Sequence, residues 1–186
     1  MNTETLALKI EEQIYQKAVA AISGWNESDI YVASFYSWQD EDDPCKPRLT
    51  IGYNTERQYE SALEEADGDA NDARWNYAWF LQDEDAFCEH GGDAEAEELI
   101  RQWVASQGID EEDWEACEPL EGAFNDILVR VVQRLRRDGV LKARLGREIP
   151  VLIHGLEYYE ETLEINELAN GAELLDPGFV ALCNGE

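Results

Sequence analysis

Apolar residues recur along this chain with two periods, and the elements follow from where each period holds. From Thr3 to Ser23, Leu6, Ile10, Ile14, Ala18 and Ile22 fall at four-residue steps, with Leu8, Tyr15 and Val19 widening the stripe. That spacing predicts an amphipathic helix. Thr3 or Thr5 can cap its start, and Ser23-Gly24 can stop it. The period then changes. Ile30, Val32, Ser34 and Tyr36 share one side, and Tyr31, Ala33, Phe35 and Ser37 the other. Both sets are largely apolar, which predicts a central strand covered on both faces. Asp40-Glu41-Asp42-Asp43-Pro44 reads as an exposed turn, because like charges and a proline disfavour a ladder. A second strand follows from about Arg48 to Tyr53.

Thr55 with Gln58 three residues on matches a capping box, opening a helix with Tyr59, Ala62, Leu63 and Ala66 inward. Asp67-Gly68-Asp69 ends it as a turn, since the ligand pattern of a calcium loop is absent. Ala73 to Leu81 is the densest aromatic run. As a strand, Trp75, Tyr77, Trp79 and Leu81 alternate with Asn76, Ala78 and Phe80; a helical reading stays open because Trp75 and Trp79 are four apart. Aromatic enrichment favours the strand. In both readings the run belongs to the core. Gln82 to Gly92 is an acidic connection, and Asp93 caps a helix over 94–106 with Ala96, Leu99, Ile100, Trp103 and Val104 inward. Trp114 and Cys117 fit a single helical turn.

Leu120 to Asp138 is the clearest element. Leu120, Phe124, Ile127, Leu128, Val131, Val132 and Leu135 match a helix at every step, Pro119 suits the first turn, and Gly139 suits the position after the last. Arg130, Arg134 and Arg137 lie on its exposed side. Glu148 to His154 predicts a strand, and 156–169 a helix with Tyr159, Leu163 and Leu168 inward. In the tail, Asp176-Pro177-Gly178 is a turn signal, and Phe179, Val180 and Leu182 can dock it. No repeat or linker divides the chain. The pattern predicts one α+β domain over 1–186, a small mixed or antiparallel sheet packed by several helices.

Charge changes the picture more than composition does. Forty-two acidic residues face 14 basic ones, a net charge of −28 over 186 residues. Such a field repels nucleic acid and anionic membranes and attracts basic proteins. The imbalance is uneven. Residues 39–126 carry 27 acids and five bases, whereas seven of the 14 bases fall between Arg130 and Arg147. Low lysine with abundant acid also fits a housekeeping domain kept soluble in high salt. No segment approaches the ~20 apolar residues of a membrane span. Met1 to Thr5 lacks the basic and apolar regions of a secretory signal, so the expected location is the cytoplasm. There, Cys45, Cys88, Cys117 and Cys183, none in CxxC spacing, are expected as free thiols.

Chemistry-bearing motifs are sparse. There is no phosphate-binding glycine loop and no nucleophile elbow. His90 and His154 are the only histidines. Cys88-Glu89-His90 lacks zinc spacing and is read as plain loop. His154, at a strand end with Gly155 and Glu157 following, supports an alternative: a hydrolase-like or metal-dependent enzyme using His154 and nearby glutamates. Carboxylates are too numerous for their spacing to select an acid/base pair. No cofactor or metal is expected.

The order of elements resembles a family of uncharacterised bacterial domains met among the immunity proteins of polymorphic toxin systems. The residues that carry the likeness are Ile30 to Tyr36 running into Phe35-Tyr36-Ser37, Tyr53-Asn54-Thr55-Glu56, Asp72-Ala73-Arg74-Trp75-Asn76-Tyr77, the long helix before Gly139, and Ile149 to Ile153. The resemblance spans about Ile30 to Asn170. It implies an α+β domain that binds a protein, and it transfers no catalytic residue. With the charge, it leads to the expectation of a non-enzymatic domain that neutralises a basic, nuclease-type toxin. The expected contact segments are Asp40 to Asp43, Asp83-Glu84-Asp85, and Asp110-Glu111-Glu112-Asp113-Trp114, with Trp114 as anchor. A core position for Trp114 is the competing reading.

Overall fold

The doubly apolar segment after the first helix becomes the axis of the sheet. β1 (Ile30–Gln39) pairs antiparallel with β2 (Pro47–Thr55) and parallel with β4 (Val151–His154), and β3 (Cys88–His90) adds antiparallel to β2. The order is β3-β2-β1-β4, so the sheet is mixed. The computed structural model describes residues 2–40, 43–81, 88–110 and 113–185. The helices are α1 (Thr3–Gly24), α2 (Glu56–Glu65), α3 (Ala70–Trp75), α4 (Ala94–Ser106), α5 (Trp114–Cys117), α6 (Pro119–Arg137), α7 (Val140–Leu145), α8 (Glu160–Asn170) and α9 (Pro177–Cys183). The chain is an α+β domain, as its periodicity predicts.

Two cores sandwich the sheet. On one face Ala33, Phe35, Leu49, Ile51, Val151 and Ile153 pack under α1, α4 and α6; on the other Tyr31, Val32 and Leu152 pack under Trp75, Tyr77, Phe80 and Phe179. The alternation expected for β1 fails at its first residues. Its register against β2 shifts between Ile30 and Val32. The extra residue lets Tyr31 and Val32 both turn to the smaller core while Ile30 stays in the larger one.

α6 buries all seven residues of its predicted stripe. Glu118 and Glu121 stand at its start, and Arg134, Arg136 and Arg137 in its last turn. The arginines are not simply exposed. Arg130 Nε bonds Glu11 at 2.8 Å, and Arg134 bonds Glu12 at 2.6 Å while lying 3.7 Å over the Tyr15 ring, so both clasp α1.

Three expectations are corrected. The aromatic run is not a strand: α3 ends at Trp75 and a 3-10 turn covers Tyr77–Trp79. Asp69 caps α3 through the amides of Asn71 and Asp72, and Asn76 caps the next turn through Ala78 N. These polar side chains outcompete β-propensity. The run still belongs to the core, with Trp75, Tyr77 and Phe80 buried. Next, α8 begins at Glu160 rather than Leu156. Thr162 Oγ1 accepts from Tyr159 N at 3.1 Å and fixes that start. Tyr159 and Leu168 are then exposed, and Thr162, Asn166, Ala169 and Asn170 face inward. Finally, Cys45 and Cys117 form a disulfide, with Cα atoms 5.2 Å apart and a sequence separation of 72. Spacing along the chain carries no trace of such a tertiary meeting. Closing a loop that long contributes about 4 kcal/mol by restricting the unfolded chain. Cys88 and Cys183 are free.

Candidate acidic docking face

β1 and β4 run parallel, so their carboxyl ends open on the same end of the molecule. Crevices outside the carboxyl ends of parallel strands are common ligand positions. Here Ser37 and Gln39 of β1, His154 of β4, the start of α6 and the loop before α8 surround three adjoining concavities. The first, about 420 Å³, lies between the start of α6 and the segment Gly155 to Thr162. The second, about 550 Å³, is walled by Gln39 and Pro44 on one side and Trp114, Glu115, Glu118 and Glu121 on the other. Glu118 and Glu121 are common to both. The third, about 300 Å³, shares Leu156, Glu157 and Tyr159 with the first.

The lining has one sign of charge. Glu115, Glu118, Glu121, Glu157 and Glu161 contribute to it, and no Lys or Arg is among the described lining residues. It also carries apolar surface. Trp114 is 53 % exposed, Leu156 72 % and Tyr159 55 %, three of the five large apolar side chains left open among the described residues. The Tyr159 hydroxyl donates to Glu157, and that carboxylate pushes the phenol pKa up. Asn125 Oδ1 is buried at the edge of the first concavity without a protein partner. The surface thus offers acceptors and aromatic faces, and suits a ligand rich in N–H donors and positive charge.

Of the residues expected at the site, Trp114 is exposed on this face, which removes the core reading. Asp113 is exposed beside it, but its carboxylate is engaged as the cap of α5, accepting from Ala116 N at 3.2 Å. Asp110 is exposed. Glu111, Glu112, Asp83, Glu84 and Asp85 lie outside the described residues, as do Glu41 and Asp42. Asp40 and Asp43 are turned to a different cavity beside Arg48 and Lys46, with Asp40 bonding Arg48 Nη2 at 2.5 Å. Sequence reasoning missed Glu115, Glu118, Glu121, Leu156, Tyr159 and Glu161, and named Glu157 only beside His154. For Tyr159 a signal existed. Gly155 breaks the apolar strand, and Thr162 three residues beyond Tyr159 marks a helix start.

His154 borders the first concavity, yet its ring is built into the core. Nε2 accepts from Ser34 Oγ at 2.8 Å and Nδ1 donates to Gly155 O at 2.8 Å. Tyr36, Tyr77, Phe80 and Tyr158 surround it. Burial pushes its pKa down to about 4, partly opposed by the Gly155 bond. Neither nitrogen faces a glutamate, so the arrangement fixes a neutral ring in place rather than presenting a base. His90 ends β3 rather than a loop, with Nε2 3.3 Å from Gln13 Oε1 and a pKa of about 4, lowered by burial and then by Lys17. Among the described residues no group of three His, Cys, Asp or Glu side chains is arranged to hold a metal, and no helix is long and apolar enough to cross a membrane. Comparison of the chain with family models, with curated proteins and with solved structures finds no match, so the functional reading rests on this geometry.

Proposed function

We propose that this chain is a non-enzymatic protein-binding domain that captures a basic protein on the acidic face at the ends of β1 and β4. Neutralisation of a nuclease-type toxin is the form of this activity to which the sequence resemblance and the acidic charge lead together. The observation that carries the reading is the coincidence on one face of exposed Trp114, Leu156 and Tyr159 with five lining glutamates and no Lys or Arg among the described lining residues. Scattered acidity for solubility alone has no need of clustered apolar side chains at the same place. The net charge of −28 draws a cationic partner in and orients it. Trp114 then supplies the apolar contact around which the carboxylates pair with Lys and Arg. Occlusion of the partner's own anion-binding surface follows from charge complementarity and requires no chemistry from this chain. The cytoplasm remains the location in this reading.

The test compares wild type with a variant carrying Gln at Glu115, Glu118, Glu121, Glu157 and Glu161, each as bait for a basic protein recovered from the native lysate and then purified. Association should slow by at least ten-fold in the variant, and also in 0.5 M salt, where the screening length is about 4 Å. Association unchanged by both would rule out the face.

A further inference from the structure

We propose that the Cys45–Cys117 disulfide makes the acidic face conditional on oxidation: closed, it holds α5 as a wall of the docking cleft; opened, it releases that wall and weakens capture of the basic partner. This rests on the face being the partner site. The 550 Å³ cleft has two walls, Gln39 from the end of β1 with Pro44 from the turn that follows it, and Trp114, Glu115, Glu118 and Glu121 from α5 and the start of α6. Cys45 directly follows Pro44, and Cys117 is three residues, about one helical turn, beyond Trp114. The bridge therefore joins the two walls.

The walls differ in how well they stand without it. The turn has its own bonds: Asp43 N to Asp40 O at 3.0 Å, Lys46 N to Asp43 O at 2.9 Å, and Cys45 N to Asp43 Oδ1 at 2.9 Å. α5 is a single turn of four residues, of which Cys117 alone is buried. A helix this short does not persist on propensity. Its cap at Asp113 is local, and the cross-link ties its one buried residue to the turn between β1 and β2. Opening the bridge should loosen α5 and Trp114 while the turn, the sheet and α6 keep their packing.

The chemistry is thiol–disulfide exchange with a dithiol reductant. One thiolate of the reductant attacks a bridge sulfur and displaces the other as thiolate; the second reductant thiol then resolves the mixed disulfide. Two electrons and two protons pass to the protein, leaving two thiols on Cys45 and Cys117, and the reductant becomes a disulfide. Cys117 is fully buried and Cys45 nearly so, so exchange waits on local opening of α5. In a reducing cytoplasm the open form would be favoured, and an oxidising episode would close the bridge.

The experiment measures binding of a nona-arginine peptide to four proteins: oxidised wild type, wild type reduced with dithiothreitol, C45S/C117S, and the oxidised five-glutamate variant described above. Amide exchange and far-ultraviolet circular dichroism are recorded on each. The reduced protein and C45S/C117S should bind about ten-fold more weakly than oxidised wild type. Amides of residues 114–118 should exchange faster in both, with the sheet and α6 unchanged. If the glutamate variant binds weakly but reduction changes neither affinity nor exchange, the redox proposal is overturned and the face stands. Should the glutamate variant bind as wild type does, the face fails and the proposal with it. If reduction or C45S/C117S unfolds the whole chain, the bridge is a general staple and the local proposal is wrong.

Discussion

Asn170 meets the backbone of Val151 twice: its Oδ1 accepts from Val151 N at 2.9 Å, and its Nδ2 donates to Val151 O at 2.9 Å. One turn earlier on α8, Asn166 does the same to Ile153, at 2.9 and 2.7 Å. β4 is an edge strand whose outer peptide groups are buried beneath a helix. The two amides take the place of a fifth strand, which both satisfies those groups and closes the edge. Replacing either asparagine by Leu removes an acceptor and a donor and strands a buried N–H and C=O. The expected loss is about 2–4 kcal/mol per site in urea unfolding. A loss below 1 kcal/mol would mean that water or a shifted helix satisfies β4 as well.

The two histidines should make the protein acid-sensitive in a particular window. Burial holds both in the neutral form, with pKa values lowered to about 4. In the unfolded chain they protonate near pH 6.5. Their contribution is therefore complete above about pH 6.5 and is lost as the pH falls towards 4, at roughly 1.4 kcal/mol per unit for each. Falling pH also relieves carboxylate repulsion, so the clean measurement is a difference. The stability gap between wild type and H154Q should narrow by about 1–2 kcal/mol from pH 7 to pH 5, as should that for H90Q. A gap that stays constant with pH would exclude this account.

Trp103 and Trp114 lie in similarly acidic sequence and should respond in opposite ways to truncation. Trp103 is 2 % exposed in the core and Trp114 53 % exposed on the acidic face. Trp103→Ala should cost about 3–5 kcal/mol. Trp114→Ala should leave stability within about 0.5 kcal/mol. Among the glutamates, Trp114 should also be quenched by caesium ion more than by iodide, and Trp114→Ala should reduce that difference, leaving the share of the part-exposed Trp38 and Trp79. Equal quenching by both ions would place Trp114 elsewhere.

Arg74 and Arg57 give a further contrast. Arg74 makes two 2.8 Å bonds to Glu56, holding its carboxyl below the usual range, and lies 4.1 Å over the Tyr31 ring. Arg57 is 68 % exposed and bonds Glu27 and Asp29 at the surface. Arg74→Lys loses the paired geometry and the stacking, at about 1–2 kcal/mol. Arg57→Lys should be nearly neutral. Thermal unfolding of the two variants decides it, and equal midpoints would show that the Arg74 stack contributes nothing.

What the sequence made legible was the part set by local period. α1, α6, the Asp93 cap and the doubly covered β1 needed only spacing, because each buries a stripe repeated over several turns or residues. Elements set by a few polar side chains were not legible. Asp69 and Asn76 turned an aromatic run into a helix end and a 3-10 turn, and Thr162 moved the start of α8 by four residues. That shift turned Tyr159 from an expected core residue into part of the exposed acidic face. The inward face of α8 was missed because it is polar: Asn166 and Asn170 are buried for their amides rather than for apolar surface. At the site, Trp114 was legible as a candidate but its exposure was not. The joining of the Cys45 turn to α5 was set by tertiary contact alone.

α6 has a further consequence. Its glutamates stand at the end where its backbone dipole is positive and its arginines at the end where it is negative, about 28 Å apart for its 19 residues. The side chains therefore complement the backbone dipole and stabilise the helix at both ends. At the arginine end the charges are largely compensated, because Arg130 pairs with Glu11, Arg134 with Glu12 and Asp138, and Arg137 with Asp138. On the proposed function, a cationic body is drawn to the Glu118 end of α6, beside Trp114, rather than to its ion-paired arginine end.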